Sequence, residues 1–222
     1  GVPEEYKKKF WENVEAFKEA WMEELDVRNS IQKKELRLAS VVEKIESNLD
    51  PHVKESVLSL YRELPVPRRI EEGKFRKSLL DKNTILITLR IDNEFGRIVG
   101  YAKGGPLENY KLRRGTNDQN MGKKNTAYLE SISIKPGYWG GTGGHLLRLQ
   151  FLSEARKRGF KYVTAYVHRN VIIHRINNGE SIEIVQKYDP DRLDYYRQDL
   201  SKLKEDFLPS TMTANVSESN LE

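Results

Sequence analysis

Between residues 126 and 155 the apolar pattern changes period once, from two to about 3.6 residues. The change falls across a turn that holds five glycines in the eight positions from Gly137 to Gly144. Before the turn, alternation sets Tyr128, Glu130, Ile132 and Ile134 on one face of a strand over residues 126–134. After it, Leu146, Leu147, Leu149, Phe151, Leu152 and Ala155 recur at helical spacing, and Gly159 suits the helix end. Glycines let backbone N–H groups converge on an anion without Cβ interference, and a helix N-terminus adds the positive end of its dipole. A pyrophosphate is the natural guest of such a turn.

Other phosphate loops fit these residues poorly. A Walker loop needs Lys and then Ser or Thr after its last glycine, but His145 and Leu146 follow Gly144. A dinucleotide fingerprint needs a third glycine where Leu146 stands, and an acidic residue after the next strand, where the chain reads His168-Arg169.

Around this unit the chain reads in segments. Phe10, Val14, Phe17, Trp21 and Leu25 give residues 4–27 a helical stripe of the kind that packs into a core. Leu38, Val41, Val42 and Ile45 predict a second helix over 31–49, and Asp50-Pro51 opens a third that runs to Leu64. A short helix is expected over 74–82. Residues 84–91 and 97–103 form a hairpin about the turn 92–96, and 104–125 is a long polar stretch, functional or disordered. A strand over 161–168, a short helix over 171–178 and a strand over 181–186 follow. A surface helix is expected over 191–206, and a disordered Ser/Thr/Asn-rich tail after Pro209. The expected division is a helical region 1–82, a cofactor-binding domain 83–190, a C-terminal helix 191–208 and a tail 209–222.

At this point the sequence resembles the GNAT N-acetyltransferase superfamily. Ile134-Lys135-Pro136 matches the end of that family's strand motif, Gly141-Thr142-Gly143 its glycines, and Leu146-Leu147 its helix start. The resemblance implies an α/β fold, a mixed central sheet flanked by helices, here with an added N-terminal helical region. It implies that the turn at Tyr138, Trp139, Gly140, Gly141, Thr142, Gly143 and Gly144 holds the CoA pyrophosphate. The pantetheine arm would pair along Ile132, Ser133 and Ile134, with Asn170 also touching the cofactor. Three departures stand out. Tyr138 replaces the usual Arg or Gln, residues 171–178 hold no tyrosine to protonate the leaving thiolate, and no first strand is visible before residue 84.

The chemistry asks for a group that takes a proton from an amine and a group that protonates a thiolate. Glu130, on the strand entering the turn, is the candidate base, or else a structural carboxylate. Tyr188, His174 and His168 are candidate acids, with Tyr188 preferred. The chain has no cysteine, which removes disulfides, thiolate metal sites and a cysteine nucleophile and suits a reducing compartment such as the cytoplasm. With four scattered histidines, no metal site is expected. No apolar run approaches a membrane span. Thirteen Lys and Arg against four Asp and Glu give residues 101–170 a charge of +9, against −4 for the rest, so the basic segment 111–124 suits an acidic substrate or CoA. The expected function is acetyl transfer from acetyl-CoA to a primary amine: a protein lysine, an N-terminus or a small amine. The alternative is a non-catalytic CoA-binding or protein-interaction module, whose N-terminal helices dock a partner. Nucleic acid ranks lower, because the basic residues lack an aromatic stacking pattern.

Overall fold

The computed structural model describes residues 1, 3–30, 33–45, 49–136, 138, 143–187, 193–205, 207–208 and 212–217. Helix α1 (Glu4–Ser30) precedes strand β1 (Lys33–Glu43). Helix α2 (Pro51–Arg62) starts where expected: the Asp50 carboxylate accepts from the His52 N–H at 2.8 Å, and Pro51 stands where no N–H is needed. A short helix α3 (Glu72–Ser78) leads into the hairpin β2 (Ile85–Ile91) and β3 (Ile98–Pro106). Next come β4 (Thr126–Ile134), α4 (Gly143–Lys157) and β5 (Tyr162–His168). The chain continues through α5 (Arg169–Asn177), β6 (Ile182–Gln186), β7 (Leu193–Asp199) and β8 (Met212–Ser217).

These strands form one mixed sheet in the order β6-β7-β5-β4-β3-β2-β1-β8. Every described pairing is antiparallel except that of β4 with β5. A core lies on each face. On one, Leu146, Leu147, Phe151 and Leu152 of α4 cover Ile87, Leu89 and Val163. On the other, Val57, Leu58 and Tyr61 of α2 and Phe75 of α3 cover Leu86 and Tyr101. Alternation along β2 sends Leu86 one way and Ile87 the other, so one strand feeds both cores.

Several expectations need correction. The helix expected over 31–49 is largely β1. Leu38 and Val42 fit a period of two as well as of 3.6, and pairing with β2 on one side and β8 on the other decides the matter. The sheet therefore does have a strand before residue 84. The helix expected over 191–206 is instead β7 followed by a 3-10 turn, Leu200–Lys202. Leu193, Tyr196 and Leu200 share a helical spacing, but β7 lies between β5 and β6 and is buried on both faces. Part of the tail expected to be disordered is β8, which edges the sheet beside β1. The stripe on α1 is not core packing: Phe10 and Phe17 are 59% and 71% exposed. The stretch 104–125 begins as β3 and continues as ordered turns tied to the sheet.

Candidate active site

β4 and β5 run together for only three residues, from Thr126↔Tyr162 to Tyr128↔Thr164. Beyond Tyr128 no ladder pair joins them, and a cavity of about 520 Å³ opens in the gap. Its walls are residues 128–132 of β4, residues 165–168 of β5, and the connection from α2 to α3. Parted parallel strands offer backbone donors and acceptors to an extended ligand.

A β-bulge sits at this gap. Lys103 pairs with Ser131 and Gly104 with Leu129, which leaves Glu130 as the extra residue. A Cβ on Gly104 would lie 2.0 Å from the Tyr128 carbonyl oxygen and 2.7 Å from Phe151 Cζ, so only glycine fits opposite the bulge. The extra residue also changes faces. Ile132 and Ile134 pack into the core under α4, while Glu130 and Ser131 both reach Lys103 or Tyr101 on the α2 side. Strict alternation, which put Tyr128, Glu130, Ile132 and Ile134 on one face, fails at the bulge.

Lys103 Nζ donates to Glu130 Oε1 at 2.5 Å, with the two side chains 0% and 4% exposed. Ser131 Oγ donates to Glu130 Oε2 at 3.4 Å. Burial pushes the Lys103 ammonium down, against the pull of Glu130. Tyr110 and Tyr128, with ring centroids 4.7 Å apart, stand beside the pair. Burial raises both phenols, Tyr110 well above its usual range, and the Glu130 charge adds to the rise. Both hold their protons at neutral pH. Tyr166 closes the aromatic wall, its Oη accepting from the Arg113 N–H at 3.0 Å.

At the far end of β4 stands the N-terminus of α4. A Cβ on Gly143 would come within 2.9 Å of Leu89 Cδ2, so the first turn lies directly on the sheet. Gly144 has room, with only Ile134 Cδ1 at 3.5 Å. Tyr138 is buried: Arg97 Nη2 donates to its Oη at 2.8 Å, and its own N–H donates to the Lys135 carbonyl at 3.1 Å. Both its side chain and its amide are thus engaged within the protein. Trp139, Gly140, Gly141 and Thr142 lie outside the described residues, as does Tyr188. Asn170 is exposed in the first turn of α5, just past the end of β5. His168 lines the cavity, whereas His174 faces Asn178 at 3.1 Å on the exposed side of α5.

The structure thus brings Tyr128, Glu130, Ile132 and His168 around one cavity, with Lys103 and Tyr110, which the sequence does not single out, packed behind Glu130 and Tyr128. The signal for Lys103 was a charge inside an otherwise uncharged strand, Ile98–Pro106. Among the described residues no group of three or more His, Asp or Glu side chains could hold a metal, and no helix is long and apolar enough to cross a membrane.

The chain matches the family model described as acetyltransferase (GNAT) over residues 54–173. It is similar in fold to an acyl-CoA N-acyltransferase from Pseudomonas aeruginosa, with a TM-score of 0.53 and 13% identity over 72% of this chain and 99% of that one. It is also similar to a GCN5-related N-acetyltransferase from Kribbella flavida, with a TM-score of 0.50 and 13% identity over 72% and 98% of the two chains. No curated protein matches the sequence.

Proposed function

The chain belongs to the acetyltransferase (GNAT) family and is an acyltransferase, and on that footing we propose that it transfers an acetyl group from acetyl-CoA to a primary amine. The acceptor is a protein lysine, an N-terminus or a small amine. One observation carries this reading: β4 and β5 part where a bulge turns Glu130 into the gap.

The described residues fit the donor. The α4 N-terminus lies flush on the sheet at Gly143 and open at Gly144, which suits a pyrophosphate. Residues 132–134 border the parting strands, which suits an amide-bearing arm. Trp139 to Thr142 and Asn170 complete the proposed cradle. The donor supplies a thioester carbonyl as the electrophile. Glu130 takes the proton of the incoming ammonium, directly or through water, because an amine of pKa about 10.4 is almost wholly protonated at neutral pH. As the C–N bond forms and the C–S bond breaks, a proton must reach the departing sulfur. Tyr188 is the proposed donor of that proton.

A second reading, a non-catalytic CoA-binding or interaction module, draws support from α1, where Tyr6, Phe10, Trp11 and Phe17 are each more than half exposed. Following free thiol released from acetyl-CoA in mixed amines separates the two. Release that rises with amine and matches acetylated product supports the transferase. CoA binding without amine-dependent release supports the module.

A further inference from the structure

The cavity between β4 and β5 is walled by cations on the face that carries Glu130. Arg68 and Arg69 come from the connection between α2 and α3, and Lys111 and Arg113 from the segment after β3. None of the four forms a salt bridge with a described residue. Arg69 is held by the carbonyl oxygens of Leu64 and Arg62 at the end of α2, and Arg113 lies 4.9 Å from the Tyr166 ring centroid. Arg68 and Lys111 are exposed, and their side chains have no polar partner among the described residues. Glu130 is the one described carboxylate in the wall, and Lys103 beneath it balances its charge.

Four cations facing one neutralised carboxylate hold a positive potential that an occupant must complement. The donor's phosphates do not account for it. The α4 N-terminus packs with the core on the opposite face of the sheet, whereas Ser133 Oγ on the cationic side bonds the Leu60 carbonyl of α2 at 3.0 Å. We propose that the acceptor is an amine with a carboxylate or phosphate close to the reacting nitrogen, held by Arg68, Lys111 and Arg113 while Glu130 meets the ammonium. This rests on the transferase reading and narrows its substrate. The cationic wall would orient such an amine by its anion, with Glu130 left to accept from the ammonium, and would disfavour polyamines and lysine-rich segments, which bring cations against cations.

The test is acetyl-CoA turnover with acceptors that differ in an anion near the amine: glycine against glycinamide, O-phosphoethanolamine against ethanolamine, and C-terminally amidated peptides opening Asp-Asp against Asn-Asn. The anionic member of at least one pair should show a kcat/KM about tenfold or more higher at low salt, and the preference should shrink as ionic strength rises. The pair that responds identifies a small carboxylate, a phosphate or a peptide as the source. In Arg68→Ala/Lys111→Ala the preference should fall below about threefold, while the KM for acetyl-CoA moves less than about twofold. Arg68→Lys, which keeps the charge, should retain most of the preference. Equal or better use of the neutral members overturns the inference and leaves the transferase standing, as does turnover with polyamines alone. A rise in acetyl-CoA KM that tracks the loss assigns the cations to the donor and also overturns it. Absence of amine-dependent release with every acceptor overturns both readings.

Discussion

Glu130 fills the extra position of the β4 bulge and takes its hydrogen bond from Lys103, a lysine with no exposed side-chain surface. Burying such a pair costs about as much in lost hydration as the attraction returns, so stability alone does not explain it. Its position does. The bulge presents a carboxylate at the point where two strands separate, and Lys103 fixes which way that carboxylate turns.

Glu130→Gln should lower turnover by about 100-fold or more while CoA affinity persists, because the amide keeps the shape and loses the basicity. It also leaves Lys103 buried without its counter-charge, so the variant should lose stability. Glu130→Gln/Lys103→Met removes the orphaned charge and should regain stability without regaining turnover. Urea midpoints and steady-state rates of the two variants check this. Recovery of rate along with stability would make Glu130 structural.

Asp118 ties the segment after β3 to β7. Tyr195 Oη donates to its Oδ2 at 2.5 Å and Arg197 Nη2 to its Oδ1 at 2.9 Å, all three groups being buried. Asp118→Ala should cost about 3–5 kcal/mol by taking the buried carboxylate from Arg197, which keeps only the exposed Glu183 at 3.6 Å. It should also loosen the segment that carries Lys111 and Arg113, raising the acceptor KM more than that of acetyl-CoA. Denaturant titration and the two KM values measure both effects.

Glu180 joins the turn before β6 to α4 through Arg148, Nη1 to Oε1 at 2.8 Å. Burial raises this carboxyl, but the bond and charge of Arg148, with Gln198, outweigh it and hold the group below the usual carboxylate range. Its folded pKa is therefore lower than its unfolded one. The stabilisation is fully present above the unfolded value of about 4.3 and is lost as pH falls through the lower folded value. The parent should exceed Glu180→Gln in urea midpoint at neutral pH, and the gap should narrow as pH falls below about 4. A gap that widens in acid would show the sign to be wrong.

Gly104→Ala would set a methyl against the Tyr128 carbonyl and the Phe151 ring. Overpacking of this kind costs about 1–3 kcal/mol, and here it would shift the bulge as well. Thermal melts should show the loss, and turnover should fall further than the unfolded fraction explains.

Much of the fold is legible where the signals are local. Asp50-Pro51 marks the start of α2 by capping chemistry, the β-branched run 85–91 marks a strand, and the glycine turn marks the passage from β4 to α4. The rest depends on partners distant in sequence. Val42 fits either period until it pairs with Ile87 of β2, and β8 is too polar to declare itself before it meets the first half of β1. At the site, Glu130 is legible as a carboxylate before a phosphate-type turn. Its face is not, because a bulge is set by register with β3, and Lys103 becomes its partner only through that pairing.

CoA affinity of the parent and of Gly144→Asp, by calorimetry, tests most directly that the turn into α4 holds the donor. The position has room for a Cβ, and an acidic side chain in the first turn favours the helix by about 0.3–1 kcal/mol, so the variant should fold at least as well as the parent. The same carboxylate repels a pyrophosphate from the N–H groups it would need. We expect the parent to bind CoA and folded Gly144→Asp to bind it at least about 100-fold more weakly, a loss of the size seen when a buried charged contact is turned into a repulsion. Equal affinity in the two proteins, or no binding by the parent, would contradict this placement of the donor.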